Sequence, residues 1–322
     1  MKLHTFIFIF FVIIITTLFS SSFAQTPAAV HEIPIVLQTA SGSIEGTLML
    51  PEKSTPIPVV LIIAGSGPTD RNGNNPTMHN GSLRMLADSL ANNGIASVRY
   101  DKRGVGASAA ALKAEKDIRF NNYVNDAIGW LQLLQKDNRF NKIIVIGHSE
   151  GSLIGMLAAK HNANAFVSIA GAGMPAADIL KTQLATQPEP FKQIIDADID
   201  TLQRGDTLRY VNPLLYSLFR PSVQPYLISW FQYNPAKAIA ALKDMPVCII
   251  QGTADIQISE ADAKLLAQAD PAAQLVIIPG MNHIFKHVNG DRNANIATYN
   301  NPNLPINTQL VKTVVAFIHA LE

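Results

Sequence analysis

The stretch "KIIVIGHSEGSLIGMLAAKH", residues 142–161, changes character at its centre. An apolar β-branched run ends at Gly147, Ser149 follows between two glycines, and an apolar helical pattern begins at once. The run fits a strand covered on both faces, so Ser149 is expected at a sharp strand-to-helix corner. Side chains two positions either way of such a corner would collide with neighbouring backbone, which favours glycine at 147 and 151. The helix that follows aims its first amides and the positive end of its dipole at the serine oxygen. A hydroxyl placed there is either a turn residue or a nucleophile, and the rest of the chain has to decide.

Similar apolar runs recur on both sides of this corner: "PVVLIIAG" (58–65), "IASVRY" (95–100), "FVSIAG" (166–171), "PVCIIQG" (246–252) and "QLVIIPG" (274–280). Helical stripes separate them. Leu83, Leu86 and Leu90 form one, Phe120, Tyr123, Ala127, Leu131 and Leu134 another, and Leu310, Val314, Phe317 and Leu321 the last. Strand alternating with helix implies an α/β architecture, a mostly parallel sheet flanked by helices. Ahead of it, Ile33, Ile35 and Leu37 alternate, "TASG" turns, and Ile44, Gly46, Leu48 and Leu50 alternate, as in an antiparallel hairpin. Residues 172–243 separate two strands by far more than an ordinary connection needs. Their helical patterns and aromatics, Trp230 among them, read as an inserted helical cap on a core of 25–171 and 244–322. The polar, Asn- and Pro-rich stretch 289–307 reads as a long loop.

A serine hydroxyl needs a base within hydrogen-bond reach, and the base needs an acidic orienter. "IIQGTADIQI" places Asp255 just beyond a strand end, and "IIPGMNHIF" places His283 just beyond the next. Both therefore fall at the same sheet edge as Ser149. Asp244 precedes its strand, Asp262 and Asp270 lie in or after the helix expected at 260–269, and His319 lies on the terminal helix. His283 and His287 are four residues apart, but no Glu adjoins the first and a Pro-Gly turn precedes it, so no metal site is expected. His148 is expected to pack against the sheet with its side chain turned away from Ser149.

The hairpin start, the Gly-His-Ser-Glu-Gly corner, "GTAD" (252–255) and "GMNH" (280–283) resemble the α/β-hydrolase superfamily over about residues 33–322. "AGSGPTDRNGN" (64–74) and "YDKRGVGAS" (100–108) resemble a bacterial carboxylesterase branch and overlap with serine-aminopeptidase-like members. The resemblance implies an eight-stranded sheet, a Ser149-His283-Asp255 triad and no cofactor. It also implies two backbone donors to an oxyanion. One is the N–H of Glu150. The other is the N–H of Ser66, because Gly65-Ser66 stands where the family carries His-Gly-x, with Ala64 in place of the leading histidine. Arg71 and Trp230 are the candidates for substrate contact. Asp70 and Arg71 are more simply read as bracing their loop, and Asp101 and Arg103 as a structural corner.

The expected activity is hydrolysis of carboxylic esters of short to medium acyl chains through an acyl-enzyme. Three other readings stay open. An aminopeptidase of the same fold needs acidic groups for a substrate's amino terminus, and "DADID" (196–200) is a source. A thioesterase or acyltransferase is the second, and a non-catalytic binding protein on the same scaffold the third. The 25 basic and 24 acidic residues give a net charge of +1, with no long basic cluster, so nucleic acid is not an expected partner. Lys2, the apolar run Phe6–Phe19 and the small residues Ser22 and Ala24 read as a signal peptide cleaved after Ala24. The run is shorter than the roughly 20 residues that span a bilayer. Export to the periplasm or beyond follows as an expectation, with no membrane attachment after cleavage. Cys248 is the sole cysteine, which excludes an internal disulfide and reads as a buried, inert thiol.

Overall fold

The computed structural model describes residues 30–54 and 56–321, so the expected signal peptide lies outside the described residues. Eight strands form one sheet in the order β1-β2-β4-β3-β5-β6-β7-β8. They are β1 (Val30–Thr39), β2 (Gly42–Pro51), β3 (Ile57–Ile63), β4 (Ala96–Tyr100), β5 (Phe140–His148), β6 (Ala165–Ile169), β7 (Val247–Gly252) and β8 (Gln274–Ile278). The β1–β2 hairpin is antiparallel and joins β4 antiparallel, while β3 to β8 run parallel to one another.

Strand composition follows from what covers each face. Val59, Leu61 and Ile63 of β3 enter one apolar cluster, and Val60 and Ile62 enter another on the opposite face. The first cluster is closed by α2 (Phe120–Gln135), α3 (Glu150–Ala159) and α9 (Glu260–Ala269), the second by α1 (Ser82–Ala91) and α11 (Thr308–His319). Strands buried on both faces need apolar residues at successive positions, which is why the alternation seen in β1 and β2 disappears. β8 departs from the expectation of two-sided cover. It is the last strand in the sheet, and Gln274 and Leu275 are exposed. Cys248 lies in β7, buried in the second cluster, and burial raises its thiol to about 12.

Between β6 and β7 lie α4 (Ala176–Gln183), α5 (Phe191–Gln203), α6 (Tyr216–Phe219), α7 (Gln224–Trp230) and α8 (Pro235–Ala240). Ile195, Ile199, Leu202, Phe219 and Leu227 form a third cluster of their own. Ile239 of α8 instead joins the cluster of α2, α3 and α9. The stretch 289–307, expected as a loop, contains α10 (Arg292–Ala297). Asp291 caps it by accepting from the amides of Asn293 and Ala294, a start signal hidden by the surrounding Asn and Pro residues. Among the described residues no helix is long and apolar enough to cross a membrane.

The corner after β4 is held by charge. Asp101 accepts from the backbone and guanidinium of Arg71, both at 2.8 Å, and from the amide of Ala107 at 2.9 Å. Burial alone would raise the Asp101 carboxyl, but the hydrogen bonds from Arg71 and Ala107 and the Arg71 charge together outweigh it and leave the group below its usual range. Arg103 makes a forked pair with Asp126 of α2, at 3.1 and 2.5 Å, in a buried setting. Removing one partner of such a pair strands the other charge. Asp126→Ala is therefore expected to cost about 3–5 kcal/mol, read as a lowered urea midpoint.

Candidate active site

The chain turns from β3 to β4 on one side of the sheet and from β5 to β6 on the other. The crevice beyond the carboxyl ends of β3 and β5 is therefore the point where the winding reverses, the place such sheets leave open for a ligand. The loop 64–69 leaves β3 here, and Ser149 follows β5.

Ser149 sits between β5 and α3 with φ 56° and ψ −121°, a conformation side chains rarely adopt. Its amide donates to the Ile169 carbonyl at 3.0 Å, and its own carbonyl accepts from Ser152 at 2.9 Å. The flanking glycines are required by close approach. A Cβ at Gly147 would lie 2.2 Å from the Gly151 carbonyl oxygen, and one at Gly151 would lie 2.3 Å from that of Ile63. The corner thus presses against the end of β3, as well as against itself.

Asp255 lies just after β7 with its side chain fully buried. Its Oδ2 accepts from His283 Nδ1 at 2.8 Å and from Gln251 Nε2 at 3.1 Å. Its Oδ1 accepts from the amides of Gln257 and Ile258 at 2.8 and 3.0 Å. Burial would raise this carboxyl, yet His283 and the surrounding donors bring it below its usual range. With the carboxylate on Nδ1, Nε2 is the ring nitrogen left for chemistry. His283 and Ser149 line one cavity of about 290 Å³.

The two loops that carry Asp255 and His283 are laced together. Ala254 N–H donates to the Met281 carbonyl at 3.0 Å. Asn282 donates to the Asn295 and Thr298 side chains at 2.9 and 2.8 Å, and Asn295 donates to the Ala254 carbonyl at 2.6 Å. Residues of α10 and the turn after it therefore brace both loops. Sequence reasoning missed Gln251, Asn282 and Asn295. For Gln251 and Asn282 the signal was a polar residue within or beside an apolar strand run, in "PVCIIQG" and "IIPGMNH"; Asn295, in the polar stretch 289–307, carried none.

His148 does not turn away from the site. It lines the same cavity as Ser149, and its ring lies 4.8 Å from that of His283. The strand alternation that placed it elsewhere ends at the strained corner. Its Nε2 donates to the His283 carbonyl at 2.9 Å, since a carbonyl can only accept. Burial and then the neighbouring imidazole lower its basicity to about 3, so it stays neutral and serves as a strut. Arg71, a candidate for substrate contact, is held by Asp101 and Thr47 and lines neither cavity at Ser149. Asp70 closes its own turn by accepting from the amides of Asn72 and Asn74.

Ser149 and Ser66 also line a second cavity, of about 460 Å³, walled by Leu153, Ile179, Leu180, Leu227 and Trp230. None of the carboxylates of "DADID" lines either cavity. Asp196 pairs with Lys192, and Asp200 pairs with Lys181. Glu150 is the one acidic residue of the second cavity's lining, and its carboxylate lies 3.4 Å from the buried Lys102 ammonium. Among the described residues no group of three or more His, Cys, Asp or Glu side chains is arranged to hold a metal.

Comparisons with known proteins agree with this architecture. Residues 77–202 match the family described as serine aminopeptidase, S33. Esterase EstD of Thermotoga maritima is 23% identical over 278 residues, 82% of this chain, and the chain spans 65% of that relative's length. Among solved structures, Est1E from Butyrivibrio proteoclasticus superposes with a TM-score of 0.60 at 18% identity, covering 89% of this chain and 99% of the other. The hypothetical protein PA2218 from Pseudomonas aeruginosa gives 0.62 at 14% identity, covering 91% and 94%. Est1E has also been solved with ferulic acid bound.

The neutral, buried His148 has a consequence for acid stability. Its folded-state basicity lies below the unfolded value of about 6.5, so the unfolded chain binds the extra proton between the two. Stability contributed by this group is whole above about pH 6.5 and falls as pH drops toward about 3. Over that window His148→Gln is expected to flatten the slope of unfolding free energy against pH by up to about 1.4 kcal/mol per pH unit, measured by urea titration.

Proposed function

We propose that this chain, an α/β-hydrolase by fold, is a serine hydrolase that cleaves carboxylic esters. The reading is carried by one observation: His283, held by Asp255 at 2.8 Å, lines the same cavity as Ser149 on its strained corner. In the proposed reaction His283 Nε2 takes the Ser149 proton as the hydroxyl attacks the ester carbonyl. Asp255 holds the imidazole and balances its charge. The amides of Ser66 and Glu150 receive the developing oxyanion. His283 then gives the proton to the leaving alcohol, water attacks the acyl-enzyme with His283 as base, and Ser149 is regenerated.

The two cavities divide the substrate. The group that protonates the leaving alcohol lines only the smaller one, so the alcohol belongs there and the acyl chain in the larger, apolar one. Trp230, a candidate from the sequence, lines the larger cavity proposed for the acyl chain. That cavity suits short to medium acyl chains. An aminopeptidase would need an unpaired carboxylate facing the bound amino terminus. Glu150 is already paired with Lys102 at 3.4 Å, which favours an ester without a charged amine. The likeness to a protein named an esterase points the same way. The leader expected at residues 1–24 makes the proposed site of action the periplasm or the medium. N-terminal sequencing of the secreted product should begin at Gln25.

Purified protein should hydrolyse p-nitrophenyl butyrate and hexanoate and leave aminoacyl-p-nitroanilides intact, and Ser149→Ala should lower turnover on the order of 10⁶-fold. Preference for the anilides would replace the esterase reading with the peptidase one. Ile179→Trp, which fills the larger cavity, should lower kcat/KM for hexanoate about tenfold or more while leaving acetate nearly unchanged.

A further inference from the structure

Gly65 and Ser66 share one peptide group. In a planar trans unit the carbonyl and the N–H point in opposite directions, so whatever fixes one fixes the other. The Gly65 carbonyl is fixed by a cation. β3 and β4 run parallel with Ile62 beside Arg99, and continuing this register beyond the strand ends brings Lys102 level with Gly65. The fully buried Lys102 Nζ donates to the Gly65 carbonyl at 2.5 Å. The same ammonium lies 3.4 Å from Glu150 Oε1 and 4.9 Å from the centre of the Tyr123 ring. Lys102 lines neither cavity at Ser149. On the next peptide, the Thr69 hydroxyl donates to the Ser66 carbonyl at 2.9 Å. The loop lies directly against the nucleophile, since a Cβ at Gly65 would be 3.1 Å from Ser149 Cβ.

We propose that Lys102 is a positioning residue for the oxyanion site: by drawing the Gly65 carbonyl to the buried side, it turns the Ser66 N–H toward Ser149. A cation on the carbonyl also polarises the peptide and makes its N–H a stronger donor. Through Glu150, the first residue of α3, the same cation ties down the segment that supplies the second donor. The charge is matched by Glu150 in a dry setting, so it acts on the peptide with little screening by water. The assignment rests on the serine-hydrolase reading above. It differs from a purely structural ion pair because it places the effect on the transition state rather than on the fold alone.

Lys102→Met leaves Glu150 as an unpaired buried carboxylate and endangers folding, so the double variant Lys102→Met/Glu150→Gln carries the test. The double variant should melt near the wild-type temperature and keep its KM for p-nitrophenyl butyrate. Its kcat should fall about 100-fold, the loss typical of one oxyanion donor. Its affinity for an aryl trifluoromethyl ketone, whose adduct with Ser149 carries the same oxyanion, should fall by a similar factor. Wild-type kcat and ketone affinity in the double variant overturn the proposal. A wild-type protein that neither hydrolyses the ester nor labels at Ser149 with a fluorophosphonate removes the serine-hydrolase reading, and this assignment with it.

Discussion

Crowding at the carboxyl ends of β3 and β5 is the constraint from which the site follows. The corner at 147–151 is so tight that two positions exclude a Cβ, and one of them excludes it because of β3 rather than its own strand. That compression holds Ser149 in a conformation it would otherwise leave. Interlocked backbone recurs on the other side of the site, where a Cβ at Gly252 would fall 2.0 Å from the Met281 carbonyl oxygen. Both halves of the site are thus positioned by main chain pressed on main chain, which leaves the side chains little freedom to lose when a substrate arrives.

Around this frame the buried polar groups form matched sets. The Asp255 carboxylate is met by two amides, Gln251 and His283. Lys102 is met by a carbonyl and a carboxylate. His148 is kept neutral and donates a hydrogen bond from its Nε2–H to a carbonyl. Each set lies away from bulk water, where an unmatched member would be costly and a matched one is stiff. The stiffness is directional: Asp255 aligns the imidazole, and Lys102 aligns the Gly65–Ser66 peptide.

Much of this was legible in the residues. Every strand of the parallel sheet announced itself by an apolar run, and the Ser149 corner by its glycines, because backbone crowding and two-sided burial leave local signatures. The separation of Asp255 and His283 was readable from strand ends. What escaped were groups whose roles depend on register between distant strands. Lys102 belonged to a motif taken as a mere corner, and only the pairing of β3 with β4 reveals its neighbour. Asn282 and Asn295 looked like loop polarity, yet they join two loops through α10. The orientation of His148 is not legible locally, because strand alternation ends at the strained residue beside it.

The lone thiol offers a practical opening. Cys248 is sealed inside the sheet, with its acidity suppressed, so it barely competes for electrophiles in the folded protein. Any cysteine introduced on the surface would be the single labelling point in the chain. Leu214, 79% exposed between α5 and α6, is a suitable host for a dye. The helical segment above the larger cavity can therefore be watched optically without first stripping the protein of native cysteines.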